Sequence, residues 1–232
     1  MSTTSRSVPF VLALLLVACG SEDPSKNDEQ NGASTSTKPL LPWAAGNRWT
    51  YQVTQDGAAT TKVTTVGEEE PVGGSGPASE TLANKVVTQK DDGNDETVSW
   101  QRLEGDRVVR LREQSFSATT DELELEEYWD PSKLHVDSSP EHTELDADWL
   151  EEYQETKLPV GDTVSTSTRR DHWYVIAIGE EVVVPAGTFT DTVKFQKVGG
   201  STPKTYWYGR GVGKLKETGG QTEELVEYEL AP

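Results

Sequence analysis

Apolar and polar side chains alternate along most of the chain after residue 40, with the two-residue period that is typical of β-strands. Trp49, Tyr51 and Val53 share one face of the first alternating segment, and residues 60–66 are its expected hairpin partner. Further short segments follow at intervals of about 8–12 residues, separated by Gly, Pro, Asn and Asp. The pattern therefore predicts an all-β domain, built as a single antiparallel, strongly curved sheet or open half barrel of short meander strands.

Two segments depart from simple alternation. In residues 141–155, the apolar side chains of Leu145, Trp149, Leu150 and Tyr153 have a spacing that fits a short amphipathic helix, although a strand with an irregular loop fits nearly as well. We therefore expect at most one short helix, near 141–155. Residues 172–178 form a nearly continuous apolar run, which favours a strand that is covered on both faces.

The N-terminus has a different pattern. Arg6 precedes the apolar run 8–17, which is too short for a membrane span and ends in small residues, as export signals do. The sequence Leu16-Val17-Ala18-Cys19 resembles a bacterial lipobox. The resemblance implies cleavage after Ala18 and lipidation of Cys19, so the site residue predicted from the sequence is a lipid attachment site.

These features divide the chain into three parts. Residues 1–18 are the predicted lipoprotein signal peptide, 19–39 a flexible polar tether, and 40–232 the β domain. Gly20 follows Cys19, where many lipoproteins that are retained in the inner membrane have Asp. We therefore expect an exported protein that is lipid-anchored to the cell envelope, at the outer membrane.

Charge and cysteine content narrow the range of partners. The chain has 40 acidic and 21 basic side chains, and its formal net charge is −19. Such a charge disfavours nucleic acid as a partner. Cys19 is the single cysteine in the sequence, so neither a disulfide nor a thiolate metal site is expected.

No motif in the sequence indicates a reaction, a metal or a cofactor. His135, His142 and His172 lack the spacing of zinc ligands. Residues 91–96 are rich in oxygen ligands but fit a hairpin turn better than a calcium loop. The glycines of 209–213 lack the spacing of a phosphate loop and favour a turn or bulge. We therefore expect no cofactor and assign no catalytic or metal-binding residue.

Three segments resemble a family of uncharacterised bacterial exported lipoproteins. They are 46–51 (GNRWTY), 183–189 (VVPAGTF) and 207–217 (WYGRGVGKLKE). In that family the motifs G-N-x-W-x-Y, V-P-A-G-T-F and W-Y-x-x-G-V-G occur in this order. The resemblance implies a curved antiparallel sheet, similar to the open barrels of periplasmic lipoprotein carriers, but it implies no activity.

Three functional hypotheses follow from the sequence. The first is a non-enzymatic envelope lipoprotein that acts through protein contacts at the membrane. The second is a carrier or sensor of an apolar ligand, held on the concave face of the sheet, where Trp100, Tyr174 and Phe195 either line or fill the interior. The third, a hydrolase, has the least support because no nucleophile and base show a recognisable spacing.

Overall fold

The computed structural model describes residues 37–90 and 95–232, most of which belong to antiparallel strands. The alternation of the sequence explains many of these strands: in the first, Trp49, Tyr51 and Val53 are buried and the residues between them are more exposed. The strands are β1 (Arg48–Gln55), β2 (Ala58–Pro71), β3 (Leu82–Lys90), β4 (Asp95–Glu104), β5 (Arg107–Phe116), β6 (Leu123–Asp137), β7 (Asp148–Pro159), β8 (Ser165–Ile178), β9 (Val182–Val184), β10 (Gly187–Phe189), β11 (Thr192–Val198), β12 (Lys204–Gly209), β13 (Gly213–Gly219) and β14 (Gln221–Glu229).

Twelve of the strands in the described part of the chain form a closed barrel. Each strand pairs with its neighbour in sequence from β1 to β8 and from β11 to β14, β8 pairs with β11, and β14 closes the ring against β1. The prediction of an all-β antiparallel fold is confirmed, but the prediction of a single sheet or open half barrel is wrong. Closure depends on pairing Arg48 with Glu229 and Thr54 with Thr222, and local alternation carries no information about contacts so distant in sequence.

The helix considered for residues 141–155 is largely replaced by a strand. A 3₁₀ turn covers Pro140–His142, and β7 begins at Asp148. Tyr153 is buried and Trp149 packs against the interior cluster, whereas Leu150 between them is 56% exposed, so these apolar residues follow the strand period. No helix in the described residues is long and apolar enough to cross a membrane.

The apolar run in β8 is covered on one face, not on both as predicted. Trp173 and Val175 are buried inside the barrel. Ile176 and Ile178 are 43% and 48% exposed. Because the β8–β11 ladder has an irregularity beside Ile176, the alternation of this segment is also interrupted in the structure.

Apolar side chains from outside the barrel wall fill part of its interior. Leu40 and Leu41, which precede β1, are buried in the main apolar cluster. Val182 and Val184 of the separate β9–β10 hairpin join the same cluster. The chain therefore uses its entry segment and one hairpin to plug the barrel.

A second apolar cluster lies on the outer face of β3, β4 and β5, under residues 72–81, which we call the outer strap. Arg112 donates a hydrogen bond to the carbonyl of Val72 (2.7 Å) and lies 4.2 Å from the ring centre of Trp100. The backbone N–H of Ser75 donates to the hydroxyl of Tyr128 (2.9 Å). These contacts fix the first half of the strap to the barrel wall.

The backbone pairing between β6 and β7 is incomplete, and we call the unpaired part of this interface the seam. These strands pair over 125–130 and 154–159, but no backbone pairing joins 131–137 to 148–153 among the described residues. Side chains bridge the seam instead. The contacts are Arg107–Glu151 (2.6 Å), His142–Asp137 (2.8 Å) and the stacking of His142 on Trp149 (4.0 Å between ring centres).

Candidate functional site

The barrel encloses a cavity of about 450 Å³, which we call the lumen. This volume falls in the range of roughly 300–1,000 Å³ that is usual for small-molecule sites. The lining is of three kinds. Apolar side chains come from Leu41, Trp43, Trp49, Val86 and Leu134, and uncharged polar ones from Thr64, Thr88, Thr97, Ser99, Gln101 and Gln221.

The third kind of lining is charged, and it is mainly positive. Six cations that face the lumen are Lys62, Arg110, Lys133, Lys197, Lys204 and Lys214. Lys90 also lines it but has a further interaction of its own and does not enter this balance. Glu113, Glu217 and Glu223 face the lumen with the six cations, which leaves a surplus of three positive charges. Asp171 and Glu155, which contact two of the lysines from outside the lining, reduce the surplus to one. The lumen is therefore positive in a chain whose net charge is −19.

The strand register places lumen cations directly opposite one another. The pairs are Lys62 with Lys90, Arg110 with Lys133, and Lys197 with Lys204. Like charges in directly opposed positions of an antiparallel ladder destabilise it. Negative groups must offset this repulsion, and some of the lumen cations have closer carboxylate partners than others.

One group of lumen charges, the paired network, is well compensated. Lys214 bonds to both Glu217 and Glu223, Lys204 bonds to Glu217 (2.6 Å), and Lys62 bonds to Glu223. Burial alone would raise the pKa of Glu217, but Lys214 and Lys204 outweigh it and hold that pKa well below its usual value. Burial would likewise lower the pKa of Lys214, and the two carboxylates raise it instead.

A second group, the cation triad of Arg110, Lys133 and Lys197, is compensated less well than the paired network, although Arg110 Nη1 donates a hydrogen bond to Glu113 (2.5 Å). The nearest carboxylate contact of Lys133 is Glu155 at 4.0 Å, which is beyond hydrogen-bond distance. Burial, together with repulsion from Arg110 and Lys197, lowers the pKa of Lys133 to about 8. Burial lowers the pKa of Lys197 as well, although Asp171 lies 3.3 Å away.

Polar atoms without a protein partner lie beside the triad. Within the described part of the chain, Arg110 Nε, Trp173 Nε1 and Gln101 Oε1 are buried and make no hydrogen bond to protein. Trp173 and Gln101 are each 2% exposed, and all three residues line the lumen. Since buried polar atoms are nearly always hydrogen-bonded, these positions call for water or a ligand.

A stack of aromatic rings holds Trp173 in place. Its ring lies 6.0 Å from Trp149 and 5.6 Å from Tyr206, and Phe195 packs edge-on against it. Of the aromatic residues considered from the sequence, Phe195 is buried in the main cluster, Trp100 packs under the outer strap, and Tyr174 contacts His172. None of these three belongs to the lumen lining.

The three histidines have unrelated surroundings. His135 faces the lumen, and burial, with repulsion from Arg110, lowers its pKa well below the usual value. His142 bonds to Asp137 at the seam, and His172 bonds to Asp148 (2.9 Å) and to the hydroxyl of Tyr174 (2.7 Å). Neither His142 nor His172 has a hydrogen bond to a Ser or Thr hydroxyl, and no potential metal-binding cluster is found among the described residues.

Two of the sequence motifs meet where the barrel closes. Trp49 Nε1 donates a hydrogen bond to the carbonyl of Val212 (2.7 Å). Gly213 has φ +122°, and a Cβ there would lie 2.6 Å from Trp49 Nε1. The turn at 209–213 joins β12 to β13, so its glycines serve close packing in a hairpin, as the sequence indicated.

The site residues expected from the sequence do not include the lumen cations. A signal was nevertheless present. In a strand, the two-residue alternation places Lys197 on the same face as Val193 and Phe195. It likewise places Lys204 on the same face as Tyr206 and Tyr208. A cation that occupies the apolar face of a strand points toward the interior. Cys19 and most of 91–96 lie outside the described residues, so lipidation stays a prediction.

Comparison with known proteins does not assign the chain to a family. No protein-family model matches the chain, and no curated protein matches it. Two solved structures are similar over 83% of this chain, each at 12% sequence identity. One, from Bacteroides fragilis, is provisionally described as an exported protein with a YmcC-like fold (TM-score 0.48, 100% of that chain covered). The other, from Parabacteroides distasonis, is provisionally described as a lipoprotein (TM-score 0.39, 99% covered).

Proposed function

We propose that this protein is a lipid-anchored, exported binding protein that holds a small anionic solute in the lumen of its barrel. The observation that carries the proposal is the reversal of charge: a surplus of positive charge lines an enclosed cavity in a strongly acidic chain. A cavity lined by one sign of charge concentrates ions of the other sign. Binding, and not chemical conversion, is the proposed role.

The same lining favours an anionic ligand over the apolar ligand suggested by the sequence. Moving a charged group out of water is costly unless a partner compensates it. An apolar ligand would displace water from Lys133 and Arg110 and offer neither a charge nor a hydrogen bond in return. An anion would offer both a compensating charge and hydrogen-bond acceptors.

The proposed location depends on the N-terminal sequence. Cys19 in a lipobox-like context would carry the lipid, and Gly20 in place of Asp favours the outer membrane. The polar tether 19–39 would let the barrel work at a distance from the membrane surface.

Contact with another envelope protein is a second candidate function. Leu150 on β7 and Ile176 and Ile178 on β8 are large apolar side chains that are 43–56% exposed on neighbouring strands. Exposed apolar groups that lie together often mark protein interfaces. Crosslinking in intact cells would test this: a specific adduct that is lost in a Leu150→Lys, Ile176→Lys variant supports it, and an unchanged set of adducts contradicts it.

The binding function can be tested by calorimetry on the full chain purified in a mild detergent. We expect citrate to bind, and its affinity to fall as salt is raised, because the attraction is electrostatic. The uncharged apolar probe N-phenyl-1-naphthylamine should show no binding in the lumen. Binding of the apolar probe without any binding of citrate, glucose 6-phosphate or inorganic phosphate would overturn the proposal.

A further inference from the structure

The lumen offers two groups of cations, and they differ in what an incoming anion would have to displace. In the paired network, Glu217 and Glu223 already accept hydrogen bonds from three lysines. An anion could reach these lysines only by competing with buried carboxylates that are covalently held in place. The paired network therefore acts as part of the wall.

The cation triad has hydrogen-bond donors that are not used by a carboxylate of the protein. Lys133 Nζ has no carboxylate within hydrogen-bond distance among the described residues, and Arg110 Nε is an unpartnered donor. The Asp171 carboxylate near Lys197 is shared, because it also accepts a hydrogen bond from Tyr153 (3.0 Å). An oxyanion could thus accept bonds from Lys133 Nζ and Arg110 Nε while the Arg110–Glu113 and Lys197–Asp171 pairs stay in place.

Trp173 extends the set of donors next to the triad. Lys197 Nζ lies 5.4 Å from the ring centre of Trp173, so the two side chains are neighbours in the lumen. The unpartnered Nε1–H of this tryptophan is a neutral donor, fixed in direction by the aromatic stack. Trp173 therefore adds a neutral donor without a protein partner to the charged donors of the triad, and hydrogen bonds from charged donors to an anion are the stronger ones.

The wall formed by β2, β3 and β4 is of a different nature. Thr64 and Thr88 are bonded to each other (3.1 Å), and Gln101 donates to Ser99 (2.8 Å). The Gln101 Oε1 acceptor has no protein partner, and Thr97 adds a further hydroxyl. Such a surface suits the hydroxyl groups of a ligand, which both donate and accept hydrogen bonds.

We propose that the cation triad binds the oxyanion group of a hydroxylated organic anion, of the sugar phosphate or sugar acid class, whose hydroxyl groups contact the Thr, Ser and Gln wall. This inference rests on the proposed binding function and specifies its ligand and the residues that recognise it. The cavity volume of about 450 Å³ is sufficient for a molecule of this size.

The site should also respond to pH. Lys133 must be protonated to hold the anion, and its pKa is about 8. The charged groups that face it are Arg110 from β5, Lys197 from β11, Glu155 from β7 and Glu127 from its own strand. A phosphate ester keeps its charge above pH 7, so its affinity should fall as the pH rises through 8 and Lys133 loses its proton.

Calorimetry on the full chain tests the ligand class with glucose 6-phosphate, inorganic phosphate, glucose and gluconate as probes. We expect glucose 6-phosphate to bind, inorganic phosphate to bind more weakly, and glucose not to bind. Gluconate in place of the phosphate ester tests whether a carboxylate is also accepted, and binding of either anion supports the proposal. Equal affinity for inorganic phosphate and glucose 6-phosphate would contradict the role of the hydroxyl-rich wall.

Matched variants test the recognition residues. Lys133→Met and Lys197→Met should each weaken binding by about 10- to 100-fold, the effect of one lost charge-assisted hydrogen bond. Lys194→Met is the control, because Lys194 lies on the same strand as Lys197 but is paired with Glu180 outside the lumen. Lys133→Gln provides a second variant, and thermal melts confirm that each variant is folded.

The outcomes separate this inference from the function on which it rests. If an anion binds and the triad variants bind it as tightly as the unsubstituted chain, the assignment of the triad fails and the binding function stands. If none of the anions citrate, glucose 6-phosphate, gluconate and inorganic phosphate binds, both fail. Weakening by Lys133→Met and Lys197→Met, with no change in Lys194→Met, supports both.

Discussion

Lys214 should be one of the most important single residues for the stability of the barrel. It is buried in the lumen and bonds to both Glu217 and Glu223. In a Lys214→Met variant these carboxylates keep Lys204 and Lys62 as cationic partners, and Glu223 keeps its hydrogen bond from Gln221 (2.7 Å). Removing one member of a buried ion pair costs about 3–5 kcal/mol, and the remaining lysines place the expected loss near ~3 kcal/mol.

For a domain of this size, a loss of ~3 kcal/mol corresponds to a fall in melting temperature of roughly 6–12 °C. Lys216→Met is the matched control. Lys216 lies on the same strand and is paired with Glu224 at 2.7 Å, but both side chains are 30% exposed. A surface ion pair of this kind contributes at most about 1 kcal/mol. Thermal unfolding followed by circular dichroism gives both values.

The pH dependence of the loss tests its cause. Lysines hold the folded-state pKa values of Glu217 and Glu223 below their usual values, so these pairs stabilise the protein above about pH 4.5. That stabilisation disappears as the pH falls and the carboxylates become protonated. The difference between Lys214→Met and the unsubstituted chain should therefore be large at pH 7 and smaller at pH 3, where the loss is still in progress because the folded-state pKa of Glu217 lies well below its usual value. A difference that is the same at both pH values would refute the argument.

Three further predictions concern other parts of the chain. Gly76→Ala should destabilise the outer strap by about 1–3 kcal/mol, because the added Cβ would lie 2.1 Å from the Tyr128 ring. Gly200→Ala is the control and should change the free energy of unfolding little, because no heavy atom lies within 4 Å of the added Cβ. Equal effects of the two substitutions in urea titrations would contradict this. Leu40→Ala should cost about 2–5 kcal/mol by leaving a cavity in the plug, whereas Leu145→Ala, at a side chain that is 52% exposed, should be nearly neutral by the same measurement. Cys19→Ser should abolish metabolic labelling with palmitate and release the protein from the membrane fraction, and unchanged fractionation would exclude the lipobox.

The sequence predicted the strands well because their apolar alternation is local. Trp49, Tyr51 and Val53 have the burial that their parity implies. Closure of the barrel could not be predicted in the same way, because it joins β1 to β14 from opposite ends of the described chain. The helical spacing of Leu145, Trp149 and Tyr153 was misleading, since residues four apart share a face in a strand as well as in a helix.

The candidate site was harder to predict than the fold, for a physical reason. A lysine within a strand has the same sequence pattern whether it faces water or a polar lumen. Lys194 and Lys197 are three residues apart in β11 and therefore lie on opposite faces of the strand, but a face lines a lumen only once the wall has closed. The surplus of positive charge in the lumen exists only after twelve strands have been brought together.

The seam between β6 and β7 should open more easily than the parts of the wall that are joined by backbone hydrogen bonds. Where a ladder joins the strands, as between β12 and β13, opening the wall requires breaking backbone hydrogen bonds, but along 131–137 and 148–153 it requires only that side-chain contacts separate. We therefore expect amide protons on the seam-facing edges to exchange with solvent faster than those within the β12–β13 ladder, as hydrogen-exchange mass spectrometry would detect. Lys133 lies in this half of β6, so transient separation of the seam would give a solute a lateral route to the lumen while the rest of the barrel stays intact.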